Sequence, residues 1–172
     1  MSTPISEGRG DLVQDLREWA RGLYALEAAV ELLIRFNHGR LLHGSWIEHD
    51  HEAAHHWFSA DMVPTDGGQL SGGERRVLDI AASLAEPSLA KVGLGDLVTG
   101  LDHDALDLVL AAIAHAGGSH EHSRPVFGLD GTYAGTRELP ALHDWPTGRI
   151  EHVNHMTTEN TTHGNTTEKG TK

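Results

Sequence analysis

Apolar side chains recur along residues 11–36 at alternating spacings of four and three: Leu12, Leu16, Trp19, Leu23, Leu26, Val30 and Leu33. Such a stripe predicts one long helix. Asp11 with Gln14 offers a capping box at its start, and Asn37-His38-Gly39 a stop. Gly22 in the middle costs the helix about 1 kcal/mol against alanine. A second helix is expected over 51–61, capped by Asp50, with Ala53, Ala54, Trp57 and Phe58 on its apolar side. Ser71 and Glu74 form a capping box for a third, which turns Val77, Ile80, Ala81 and Leu84 inward and stops at Glu86-Pro87. Residues 92–100 are glycine-interrupted and suit a single helical turn. Asp102 caps a fourth main helix, with Leu106, Val109, Leu110 and Ile113 as its core stripe and Gly117-Gly118 as its end.

Beyond Gly118 the periodicity fades. Residues 126–133 suit a small hairpin about Asp130-Gly131, and Trp145-Pro146 can dock back on the helices. From about residue 150 the chain is Thr, Asn, His, Gly and Glu, a composition that predicts disorder. The expected architecture is therefore all-α, with about four main helices over residues 11–117. A flexible N-terminus (1–10) precedes them. An irregular segment packed on them (118–150) and a disordered tail (151–172) follow.

Composition narrows the function. Thirteen Lys and Arg face 25 Asp and Glu in 172 residues, a net charge of -12. Nucleic-acid binding needs a basic face, and the basic residues here are scattered. The absence of cysteine excludes a disulfide scaffold, thiol catalysis and Cys-ligated metal. No run of 18 apolar residues could cross a membrane, and the first residues lack the basic and apolar regions of a signal peptide, so a cytoplasmic location is expected. Fourteen histidines make the net charge strongly pH-dependent.

The sharpest chemical signal is His51-Glu52-Ala53-Ala54-His55. On a helix, residues four apart share a face, so His51 and His55 could hold one zinc ion while Glu52 acts as general base. This resembles the zinc-metallopeptidase motif and implies a zinc-dependent hydrolase. The third ligand such enzymes require is not evident downstream. Leu70-Ser71-Gly72-Gly73-Glu74 resembles the signature motif of ABC-transporter ATPases, which offers a hydroxyl and a helix N-terminus to a phosphate. No G-x-x-x-x-G-K-[ST] loop accompanies it, and the capping box accounts for Ser71 and Glu74.

A broader resemblance spans residues 46–117. Trp46-Ile47-Glu48, Glu52-Ala53-Ala54, Ser71 to Glu74, Ala81-Ala82-Ser83-Leu84, Leu94-Gly95-Asp96-Leu97 and Thr99 to Asp102 are similar to segments of small actinobacterial and actinophage helical proteins. That resemblance rests on packing residues and implies no activity, and His51 and His55 lie outside it. The expected function is thus a non-enzymatic accessory or interaction protein without a cofactor. It would bind another protein, or a second copy of itself, through a helix face. The alternative is the zinc hydrolase centred on His51, Glu52 and His55.

Overall fold

The computed structural model describes residues 7–147, apart from 51, 53–54, 65–68 and 90–92; for 7–11 it gives the backbone alone. Five helices and two antiparallel hairpins succeed one another. They are α1 (Glu7–Ala20), α2 (Tyr24–Arg35), β1 (Ile47–Asp50), β2 (His55–Phe58), α3 (Gly72–Ala85), α4 (Leu94–Val98), α5 (His103–Ala116), β3 (Ser123–Phe127) and β4 (Tyr133–Glu138). The chain is therefore mixed helix and sheet, and the all-α expectation is corrected. Residues 151–172, where the disordered tail was expected, and residues 1–6 lie outside the described residues.

The long helix expected over 11–36 is two helices. Gly22 adopts φ +85, and the chain turns there. Its amide donates to Glu27 Oε1 at 2.8 Å, which fastens the turn to the first part of α2. A left-handed residue ends a helix far more effectively than a glycine merely weakens one. The fold-back makes α2 the central helix, touching α1, α3 and α5. Its Ala28, Ala29, Val30, Leu32 and Leu33 are all buried. The small alanines let neighbouring backbones approach closely.

The described residues of 51–61 do not form the expected helix: His55–Phe58 is a strand, paired with Ile47–Asp50 in a hairpin. Ile47 pairs with Phe58, Glu48 with Trp57, His49 with His56 and Asp50 with His55. Asp50 does accept a backbone N–H, from Glu52 at 2.7 Å. That bond closes a local turn around the aspartate rather than capping a helix, and the same side chain serves either purpose. Trp57 and Phe58 favour a strand, and burial of Trp46 and Phe58 ties the hairpin to the core.

The third and fifth helices form as expected. Ser71 Oγ accepts from the Glu74 amide at 3.2 Å, while Glu74 Oε2 accepts from the Ser71 amide at 2.8 Å. Asp102 caps α5 through the Ala105 amide at 2.8 Å. The face of α5 is another correction. Ala105, Leu108, Val109, Ala111, Ala112 and Ala114 are buried, but Leu106, Leu110 and Ile113 are exposed at 38, 45 and 40%. The β3–β4 hairpin encloses Asp130-Gly131 as expected, with Gly131 at φ +79. Among the described residues no helix is long and apolar enough to cross a membrane.

Candidate functional site

Of the residues in the zinc-binding motif, Glu52 and His55 are described. Glu52 is exposed in the turn between β1 and β2, and His55 is exposed as the first residue of β2. His51 lies outside the described residues. Of the motif's described residues, Glu52 lies in a turn and His55 in a strand, so the helical setting behind the metallopeptidase likeness is not found at them. Among the described residues no three His, Cys, Asp or Glu side chains are placed to hold a metal ion.

The hairpin brings together two histidines that were not singled out as a pair. His49 and His56 are direct cross-strand partners, with ring centroids 4.3 Å apart and planes inclined by 29°. His56 Nδ1 lies 2.8 Å from Asp15 Oδ2 on α1. An ionised carboxylate only accepts, so Nδ1 carries the proton and donates. Register was the missing signal: a helical reading puts residues 49 and 56 seven apart on one face, whereas the hairpin sets them opposite each other.

A second polar cluster surrounds a cleft of about 270 Å³ between α1, α2 and α5. Arg17, Arg21, Glu27, Glu31 and His115 line it. His115 Nε2 meets Glu27 Oε2 at 2.9 Å, and its ring stacks on His120 with centroids 4.5 Å apart. Burial works against the charge on Glu27, but the Gly22 amide and His115, with the nearby His120, outweigh it and hold the carboxyl below its ordinary range. Burial likewise opposes the charge on Glu31. Arg17 and Arg35, both bonded to it, again prevail and lower its pKa. The cleft lining holds no Ser, Thr or Cys. The Glu27–His115 pair thus has no hydroxyl or thiol beside it to activate, and it bonds α2 to α5.

These lowered carboxyl pKa values fix a pH dependence. A carboxyl depressed on folding stabilises the native state fully above its unfolded pKa, near 4.3, and loses that contribution as pH falls through the folded value. We expect urea unfolding midpoints to fall below about pH 4.5, and Glu27→Gln with Glu31→Gln to flatten that fall. An equally steep acid loss in the double variant would assign it to other groups.

The third feature is the outer face of α5. Beyond Asp104, every exposed position on this helix and its end is Leu106, Leu110, Ile113 or Gly117. The charged residues of the same stretch turn aside into pairs. Asp107 Oδ1 receives His143 Nε2 at 2.8 Å, and His115 engages Glu27. The bond to Asp107 holds the returning C-terminal segment alongside α5, with Leu142 next to it 81% exposed. The sequence hid this face because α5 is apolar nearly all round. No protein-family model, curated protein or solved structure matches the chain.

Proposed function

We propose that this is a non-enzymatic interaction protein that self-associates through the outer face of α5. The observation that carries the reading is a solvent-facing helix stripe, Leu106, Leu110 and Ile113, without a charged residue among its exposed positions. A helix that is hydrophobic all round ordinarily has partners on every side. Among the described residues, α2 and α3 pack against the side of it that faces away from this stripe. A second copy is the proposed partner, because this stripe lacks the like charge that keeps copies apart elsewhere on the surface. In a chain of net charge -12, two copies repel each other unless they meet on an uncharged surface. The α5 stripe is such a surface, and a two-fold axis would pair it with itself.

The stripe is short, so the contact belongs with small, transient interfaces rather than obligate ones. Sedimentation velocity over roughly a hundredfold range of concentration should therefore show a reversible monomer–dimer equilibrium. Leu110→Asp should weaken dimerisation by roughly tenfold or more, because it places a charge at the centre of the contact. Leu129→Ser, at the exposed tip of the β3–β4 hairpin, should leave it unchanged. A monomer at every concentration, or equal effects of the two substitutions, would overturn the reading.

A further inference from the structure

We propose that the β1–β2 hairpin binds a divalent transition-metal ion, zinc or copper, through His49 and His56. The antiparallel register places the two imidazoles directly opposite each other on one face of the hairpin. Alternation sends Glu48, Asp50, His55 and Trp57 to the other face. The ring centroids are 4.3 Å apart. Two nitrogens sharing one tetrahedral zinc are about 3.3 Å apart, so the rings are near enough to share one ion once they turn out of their stack and point their nitrogens at it.

Asp15 supplies the second part of the argument. Its carboxylate accepts the Nδ1 proton of His56 at 2.8 Å, which fixes the tautomer and leaves the Nε2 lone pair available. Metal-ligating histidines are oriented by carboxylates in this way. The carboxylate of Asp15, bonded to His56, also favours a cation here. Water completes the coordination shell, since the described residues place no third ligand within reach.

The other stacked pair is an internal contrast. In the His115–His120 stack the carboxylate of Glu27 engages Nε2 of His115. The nitrogen left over on His115 is Nδ1, the opposite of His56. The two stacks share their ring geometry and differ in which nitrogen is presented.

The test is calorimetric titration of Zn²⁺ into the full chain without an affinity tag. One ion should bind per chain. His49→Ala and His56→Ala should each weaken binding by roughly tenfold or more, and Asp15→Asn by roughly tenfold. The His51→Ala/His55→Ala double variant and His120→Ala should bind like the parent. In the unmodified protein, the imidazole nitrogen resonances of His49 and His56 should shift on adding Zn²⁺, which needs no variant to fold. No binding, loss confined to the His51→Ala/His55→Ala variant, or shifts at other histidines would each overturn the proposal.

Discussion

Replacing Gly44 by alanine is expected to destabilise the protein by about 3–5 kcal/mol. A Cβ at that position would stand 2.1–2.3 Å from three atoms of the Trp46 indole, far inside van der Waals contact. The penalty is steric alone, because Gly44 has φ -91 and ψ 166, a conformation open to any residue. Trp46 cannot yield cheaply. It is 6% exposed, it belongs to the core, and its Nε1–H donates to the Leu41 carbonyl at 2.8 Å. Expelling the ring forfeits about 3–5 kcal/mol, the scale of a buried tryptophan replaced by alanine. Urea unfolding should give losses of that size for Gly44→Ala and Trp46→Ala separately. The double variant should lose little more than Trp46→Ala, because the clash disappears with the ring. Full additivity would show that Gly44 and Trp46 do not act on each other.

Glu31→Ala should be the second most costly change, at about 2–3 kcal/mol. Its side chain is 15% exposed and accepts from Arg17 on α1 and Arg35 on α2. Removing it leaves two guanidinium groups facing each other, half-withdrawn from water. That is worse than losing two exposed ion pairs. Arg17→Ala should cost less, since that side chain is 42% exposed and its loss leaves Glu31 paired with Arg35. Arg35 also lies over the Trp145 ring, 5.1 Å from its centroid, so Glu31 indirectly steadies the returning C-terminal segment. The expected loss should persist in high salt. A change within about 0.5 kcal/mol would mean that the triad behaves as an ordinary surface pair.

What the sequence disclosed depended on how many structures each signal could serve. The Ser71–Glu74 capping box has one reading, and α3 begins there. Asp102 before an alanine-rich run likewise marked α5. Asp50 was ambiguous, because an aspartate that accepts an amide two residues on serves a turn as readily as a helix start. The Ala53-Ala54 pair tilted the reading toward helix, whereas the pairing of Trp57 and Phe58 with Glu48 and Ile47 is a non-local fact that no short window contains. Gly22 was visible as a weak point within a helix, but its left-handed conformation is set by the packing of α1 against α2. The stripe on α5 failed for a different reason: Leu106, Leu110 and Ile113 have the correct period for a core face, and alanines fill the interior instead. The Asp15–His56 and Glu27–His115 contacts join residues 41 and 88 positions apart and leave no local trace.

The central claim is that the α5 stripe is the surface on which two copies meet. The chain contains no cysteine, so a single introduced thiol reports its own surroundings. Leu110→Cys places one at the middle of the stripe, and Leu23→Cys places one at the equally accessible α1–α2 turn, where Leu23 is 63% exposed. Under mild oxidation, Leu110→Cys should form a disulfide-linked dimer rapidly and Leu23→Cys only slowly. Equal rates, or no dimer from Leu110→Cys, would contradict the account.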